Sequence, residues 1–215
     1  MERQFIMMRH WLRRLRNAVD VLRGRSASIN LDCYASSQTL SKQWLVERLE
    51  ECLDGMTTPP QGWRIWILGG WYGITNFIIR TRAVIDVEQV RSFDMDPNCE
   101  PIADKINKLW EWQEWQFKAD TCDVNKLRYD NGVPHVVINT SVEHVEGDGW
   151  YKNIPDGTVV ALQANDQLHN DHIWICSSPK DLLERFGVSE CLYEGSVEFD
   201  YPTGKWSRHM IIAIK

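Results

Sequence analysis

The chain has 215 residues with 43% hydrophobic and 25% charged side chains, which suits one well-packed domain with an appended helix and excludes an intrinsically disordered chain. No apolar run approaches the ~20 residues of a membrane-spanning helix. The mean hydropathy of -0.39 predicts a soluble protein. The net charge of -6 argues against non-specific nucleic-acid binding by the chain as a whole.

The first 25 residues form a basic segment. They hold seven arginines against Glu2 and Asp20, a surplus of five positive charges. Because the whole chain has a net charge of -6, the remaining residues carry a net charge of -11. Apolar side chains such as Trp11 and Leu15 recur at three- and four-residue steps, which predicts an amphipathic helix. We expect this helix to pack on the main body, and an alternative role in binding nucleic acid or an anionic membrane is less favoured. Residues 1–40 are thus predicted as helix and linker, and residues 41–215 as the main domain.

The elements follow in chain order. Gly24–Ser37 is predicted as a linker and Ser41–Leu53 as a helix ended by Gly55, after which strands alternate with helices. The predicted strands are Trp63–Leu68, Val90–Phe93, Trp115–Ala119, Val133–Asn139, Thr158–Gln163, Cys191–Phe199 and His209–Ile214. The predicted helices among them are Thr75–Ala83, Pro101–Trp115 and Lys180–Phe186.

This order predicts a three-layer α/β sheet of the Rossmann-like type. The first five strands are joined by helices or long crossovers and are therefore expected to be parallel. The turn sequence Asp200–Lys205 predicts a terminal hairpin that adds antiparallel strands at one edge. Ligands of such sheets bind beyond the carboxyl ends of the strands, where the strand order reverses.

Three polar or glycine-rich strand ends are the first candidates for a site. Gly69-Gly-Trp-Tyr-Gly73 follows the first strand, and glycine there lets the backbone approach a ligand. Asp94 ends the second strand 25 residues after Gly69, where dinucleotide folds place the acid that binds ribose, and Asp120 ends the third strand 26 residues later. We expect these groups to line one crevice, although aspartate also ends strands for purely structural reasons.

From about Ser41 to Lys215 the chain resembles the class I S-adenosylmethionine-dependent methyltransferases. The motifs that carry the resemblance are ILGGWYG at Ile67–Gly73, SFDMDP around Asp94, KADTCDV around Asp120 and VVINTSVEHV after the fourth strand. The resemblance implies that the cofactor is S-adenosyl-L-methionine. It places Gly69, Gly70, Trp71 and Gly73 at the methionine end, Asp94 and Met95 at the ribose, Asp120 and Thr121 beside the adenine, and Asn139 between the cofactor and the substrate.

Two positions depart from the family pattern. Ile67 stands where the family often has an acid, and Trp71 replaces the middle glycine of the usual GxGxG, so Trp71 is expected to cover the cofactor or to pack under the loop. Dinucleotide-binding dehydrogenases share the early pattern, but their GxGxxG is absent and they do not explain the terminal hairpin.

The segment after the fourth strand offers candidates for chemistry. Asn139 and Ser141 are predicted to orient the methyl acceptor, and Glu143 or His144 to take a proton if the acceptor loses one. A histidine beside a glutamate is also common as a surface pair. The sequence INTS lacks the two prolines of the motif typical of nucleobase amine methylation, so a small molecule or a protein is the favoured acceptor.

The loop Asn165–His172 is the second polar cluster. Its imidazoles and carboxylates would suit zinc or iron, but we predict no metal here and expect a loop that faces the substrate, with Asn165 and His172 as its main members. The chain also has 11 tryptophans. Because the surrounding chain is acidic, core packing and subunit contacts, with a possible homo-oligomer, are favoured over stacking on bases.

The six cysteines are widely spaced, which excludes a CxxC metal or redox pair, and the N-terminal segment does not resemble a secretory signal. Reduced, buried cysteines in a cytoplasmic protein are therefore expected. The sequence as a whole predicts a methyltransferase. The alternatives are aminocarboxypropyl transfer or cofactor cleavage on the same fold, or a non-catalytic assembly module that has lost the cofactor and uses the arginine-rich helix.

Overall fold

The central sheet of the protein is built from short apolar segments that end at polar or glycine residues. A computed structural model describes residues 29–111, 115–130, 132–201 and 204–215. In this part of the chain the strands are β1 (Arg64–Leu68), β2 (Gln89–Asp94), β3 (Phe117–Thr121), β4 (Val136–Asn139), β5 (Val159–Asn165), β6 (Glu190–Tyr201) and β7 (Gly204–Ile214). The helices are α1 (Ser36–Asp54), α2 (Ile74–Arg82), α3 (Cys99–Ile106), α4 (Lys108–Glu111), α5 (Gly149–Lys152) and α6 (Pro179–Phe186), with 3-10 turns at Leu31–Tyr34, Val124–Lys126 and Val142–His144.

The described strands form one sheet in the order β3-β2-β1-β4-β5-β7-β6. Strands β1 to β5 pair in parallel, and β7 pairs antiparallel with both β5 and β6. The strand order therefore reverses between β1 and β4, which is where such sheets bind ligands. The predicted Rossmann-like fold class, mostly parallel with an antiparallel terminal hairpin, is confirmed.

Both faces of the sheet are covered, because successive side chains of a strand point to opposite faces. In β1, Ile65 and Ile67 belong to the core layer under α1 and α2, whereas Trp66 and Leu68 belong to the opposite layer, which also contains Trp150. These five side chains are all 5% exposed or less. The result is the predicted three-layer arrangement.

Several predicted boundaries differ from the structure. Helix α1 begins at Ser36 rather than Ser41, so part of the predicted linker is helical. The predicted helix Pro101–Trp115 is divided into α3 and α4 at Asn107, whose side chain bonds to buried backbone. Trp115 lies in a turn with φ of 59° and does not begin β3. The predicted N-terminal helix lies outside the described residues.

Other composition-based predictions have mixed outcomes. The six cysteines are free thiols, but only Cys33, Cys99 and Cys176 are buried, and Cys191 is exposed. Among the described residues, no helix has both the length and the apolar character needed to cross a bilayer.

Candidate active site

A cavity of about 970 Å³ opens at the carboxyl ends of β1, β2 and β4. This volume lies in the upper part of the range of small-molecule sites. Ten of the residues predicted from the sequence line it: Gly69, Gly70, Trp71, Asp94, Met95, Ser141, Glu143, His144, Asn165 and His172.

The turn after β1 is joined to the end of β2 by hydrogen bonds. The Gly70 N–H donates to the Phe93 carbonyl at 3.0 Å, and the Trp71 N–H donates to Asp94 Oδ2 at 2.8 Å. Asp94 Oδ1 accepts from the Asp96 N–H at 3.0 Å. Two backbone N–H groups thus hold the side chain of Asp94 at the cavity wall, and the Cys99 thiol also interacts with its carboxylate. Because each carboxylate oxygen has two acceptor positions, the Asp94 carboxylate still has capacity for a further donor.

Trp71 has a left-handed backbone with φ of 48°, which is uncommon for a residue with a side chain. Its ring is tilted against Tyr72 with the ring centroids 5.2 Å apart, and it packs beside a small apolar cluster that contains Cys33 and Ile102. Since Trp71 also lines the cavity, it fits both expected roles, a cover for a ligand and a packing residue.

Gly73 and Asn139 are not among the residues that line the cavity. Gly73 caps α2 in a left-handed conformation and packs against Asn107. Asn139 is fully buried at the end of β4, where its Oδ1 accepts from the Ser141 N–H at 2.9 Å.

Asp120 and Thr121 also lie outside the cavity lining. The Asp120 carboxylate pairs with Arg91 at 2.7 Å, and the Thr121 hydroxyl donates to Glu100 at 2.7 Å. The residues that line the cavity at this end of the sheet come just after β3, at Cys122–Asn125.

A buried group of charges forms the other side of the cavity. Glu143 is 1% exposed, Arg208 3% and Lys42 7%. Glu143 Oε1 accepts from Asn165 Nδ2 and lies 3.7 Å from Arg208 Nη1, whereas its Oε2 has no hydrogen-bond partner among the described residues. Burial, and then the nearby Arg208 cation, lowers the pKa of Lys42 to about 7. Charges buried to this extent are costly unless they are paired and hydrogen-bonded, and such groups in a cleft are candidates for a functional site.

Two histidines face the same region. His144 Nδ1 lies 3.1 Å from the Asp171 carbonyl oxygen, and His172 Nδ1 lies 2.8 Å from the Gln167 carbonyl oxygen. Their ring centroids are 4.7 Å apart. Burial lowers the pKa of His172, which favours its neutral form.

The two buried cations, Lys42 and Arg208, were not among the residues predicted from the sequence. Lys42 lies three and seven residues before Leu45 and Leu49, on the stripe of α1 that is buried, and this spacing was the available signal. Arg208 lies two residues before the apolar run Met210–Ile214 of β7 and pairs in register with Asn165 of β5. Because that pairing depends on the sheet order, nothing local in the sequence identifies it.

Solved methyltransferase structures share this architecture. The N-methyltransferase NodS of Bradyrhizobium japonicum WM9 matches with a TM-score of 0.55 at 9% identity, over 81% of this chain and 97% of that one. Geranyl diphosphate C-methyltransferase of Streptomyces coelicolor A3(2) matches with a TM-score of 0.59 at 10% identity, over 82% and 76%. Magnesium protoporphyrin IX methyltransferase of Synechocystis PCC 6803, solved with bound S-adenosylmethionine, matches with a TM-score of 0.53 at 14% identity, over 94% and 90%.

Comparison with known sequences gives less information about this chain than comparison with solved structures. No family model matches the chain. A curated protein from Methylovorus glucosotrophus (strain SIP3-4), named as a probable inorganic carbon transporter subunit DabA, is 30% identical over 166 residues, which is 72% of this chain. The chain spans only 17% of the length of that relative. The structural likeness therefore decides the fold: the chain has the fold of the class I S-adenosylmethionine-dependent methyltransferases.

Proposed function

We propose that this protein is an S-adenosylmethionine-dependent methyltransferase whose cofactor binds at the carboxyl ends of β1, β2 and β4. The observation that carries the proposal is the position of Asp94. Its carboxylate lies at the cavity wall of a methyltransferase fold, is held by the Trp71 N–H, and keeps free acceptor capacity. A pair of ribose hydroxyls offers the two donors that such a carboxylate lacks.

The remaining walls are compatible with a nucleoside and an amino-acid group. Gly69 has a left-handed φ of 64°, and a Cβ built there would lie 3.5 Å from the Ser141 Cβ, both residues being part of the cavity wall. The absence of a side chain therefore leaves room where the methionine end would pass. The base would lie near Cys122–Val124, which directly follow the predicted Asp120 and Thr121 in the chain.

When bound, S-adenosylmethionine supplies an electrophilic methyl group, so the protein mainly has to hold an acceptor in line and exclude water. We place the acceptor against Ser141–His144 and the loop Asn165–His172, whose residues Ser141, Glu143, His144, Asn165 and His172 line the cavity. Glu143 Oε2 and His144 Nε2 are the proton acceptors available there. A small molecule or a protein group remains the favoured acceptor class.

Isothermal titration calorimetry with S-adenosylmethionine and S-adenosylhomocysteine tests the proposal. We expect binding of both by the wild type and at least a 10-fold weaker Kd, about 1.4 kcal/mol or more, for Asp94→Asn. This change removes the charge-assisted bonds and replaces one of the two oxygens that accept from the Trp71 and Asp96 N–H groups. Asp120→Asn is the matched control and should change the Kd less than 2-fold, because that carboxylate is paired with Arg91.

Absence of heat with either nucleoside would reject the proposal and favour an assembly role without cofactor. Equal losses in the two variants would reject the placement of the ribose at Asp94. If the cofactor binds, incubation with methyl-labelled cofactor and separate fractions of RNA, DNA, protein and metabolites identifies the acceptor class.

A further inference from the structure

We propose that Glu143, His144 and His172 form a binding site for a divalent first-row transition-metal ion, in the range from Mn²⁺ to Zn²⁺. One carboxylate oxygen of Glu143 and one ring nitrogen of each histidine lie within 4.8 Å of one another. Two imidazoles and one carboxylate are the ligand set of catalytic zinc sites and of non-haem iron sites. Binding of the ion does not depend on the proposed methyltransferase activity, but it would occupy Glu143 and His144, which would then no longer accept a proton from the methyl acceptor.

The protonation of both imidazoles prepares them as ligands. Each Nδ1 lies within 3.1 Å of a backbone carbonyl oxygen, and a carbonyl can only accept a hydrogen bond. The neutral rings must therefore carry their proton on Nδ1, which leaves the lone pair on Nε2. An imidazole whose Nδ1–H donates to a carbonyl while Nε2 binds the ion is the usual arrangement in metal sites.

The carboxylate is prepared in the same way. Glu143 is almost fully buried, and Oε1 is held by Asn165 and faced by Arg208. Its Oε2 is buried and has no partner among the described residues. An unsatisfied buried carboxylate oxygen is costly, and coordination to a cation would remove that cost.

The loop that carries His172 is fixed at both ends. The Asp166 N–H donates to the Ser207 carbonyl at 3.1 Å, and the Ile173 N–H donates to the Glu143 carbonyl at 3.0 Å. The second bond ties the backbone next to His172 directly to the residue that supplies the carboxylate. Ligands of an ion bound at ~2.1 Å lie roughly 3 Å apart, so side-chain adjustments of about 1 to 2 Å would close the site.

The ligand types select the kind of ion. Mg²⁺, Ca²⁺ and Mn²⁺ prefer oxygen ligands, whereas imidazole nitrogens favour ions such as Fe²⁺ and Zn²⁺, for which Co²⁺ is a spectroscopic substitute, so the later ions of the series are favoured here. Three protein ligands leave at least one coordination position open. Since all three residues line the cavity, a water molecule or a substrate oxygen could occupy that position.

Titration of the metal-free full-length protein with Co²⁺, followed by visible absorption, tests the site without any cofactor. We expect one equivalent to bind, with the visible band lost or the Kd at least 10-fold weaker in His144→Gln and His172→Gln. His169→Gln is the matched control in the same loop. It is expected to bind Co²⁺ like the wild type, because His169 is not part of the convergent group.

The two ligand histidines are partly or fully solvent-accessible, so both variants should fold, which circular dichroism verifies. Equilibrium dialysis with Zn²⁺ should give the same order of affinities. Failure of the wild type to bind either ion, or equal affinity in the wild type and both ligand variants, would overturn the proposal. A near-ultraviolet thiolate-to-cobalt band would also overturn it, because the ion would then be bound by a cysteine such as Cys122.

Discussion

Gly73 offers the sharpest test of how the glycine turn is built. The resemblance to methyltransferases places this residue at the cofactor, whereas the structure uses it to join two helices. Its backbone is left-handed, with φ of 72° and ψ of 20°, and its carbonyl accepts from Asn107 Nδ2 at 3.1 Å. The same Nδ2 donates to the Ala103 carbonyl at 2.9 Å, and Asn107 Oδ1 accepts from Asn76 at 2.9 Å. The substitution Gly73→Ala should therefore act mainly on stability.

The size of the effect follows from two contributions. A Cβ at Gly73 would lie 2.5 Å from Asn107 Nδ2 and 3.2 Å from the Ala103 Cβ, so the amide of Asn107 has to move. Displacing a buried, hydrogen-bonded amide costs about 1–3 kcal/mol. An alanine in the left-handed conformation adds about 1–2 kcal/mol of backbone strain. We expect Gly73→Ala to lower the free energy of unfolding by about 2–5 kcal/mol.

Gly187→Ala is the matched control. Gly187 ends α6 with φ of 62° and ψ of 35°, so it bears a similar left-handed strain, but a Cβ there meets nothing within 4 Å. Urea unfolding followed by tryptophan fluorescence measures both variants. The difference between them isolates the displaced amide, and we expect it to be about 1–3 kcal/mol. If Gly73→Ala is no more destabilised than Gly187→Ala, the assignment of Gly73 to packing is incorrect.

Two further predictions concern buried charge and protonation. Arg208→Met should lower the free energy of unfolding by about 3–5 kcal/mol, because it leaves Glu143 buried without its paired arginine. Adding Glu143→Gln to that variant should restore most of the loss. If urea unfolding shows that the two changes have additive losses, the pairing is contradicted. Burial and the nearby Arg64 lower the pKa of His135, whose Nδ1 accepts from the Arg64 N–H at 3.1 Å, so folding favours the neutral ring. The contribution of His135 to the free energy of unfolding should thus be fully present above the ordinary histidine pKa of ~6.5 and should fall as the pH drops below that value. The fall should be less steep than the full one-proton slope of about 1.4 kcal/mol per pH unit. His135→Asn, which keeps an acceptor for that N–H, should flatten this fall, and an unchanged pH profile would show that His135 does not contribute.

The sequence predicts the fold well because the sheet is encoded locally. The strand β1 contains the apolar run Ile65–Leu68, which is followed by Gly69, and β2 ends at Asp94. Periodicity and strand-ending residues therefore suffice to place the first half of the cavity. Boundaries fail where tertiary contacts decide. The helix predicted to continue to Trp115 stops at Asn107 because the side chain of that residue satisfies the backbone of Gly73 and Ala103 rather than extending the helix.

The second half of the cavity is less accessible to sequence reasoning. Glu143 and His144 are neighbours in the chain, but His172 reaches them only because β4 and β5 are adjacent and parallel. Arg208 reaches Glu143 only because β7 inserts between β5 and β6. Within the loop Asn165–His172 too few ligands converge for a metal site, so the sequence predicted no metal there. Ligands from outside the loop did not enter that prediction.

The two halves of the cavity differ in how they hold their polar groups, and this difference bears on function. Asp94 is fixed mainly by the backbone N–H groups of Trp71 and Asp96, with the Cys99 thiol as a further contact. Most side-chain changes elsewhere leave the two backbone bonds intact, so the half formed by β1 and β2 can keep the same binding task in proteins that share little sequence. Glu143 is instead fixed by side chains, Asn165 and Arg208, that come from two other strands. A change in any one of them leaves a buried charge uncompensated. Chemistry specific to this chain is therefore expected on the side of β4, β5 and β7, which is where the proposed metal ligands lie.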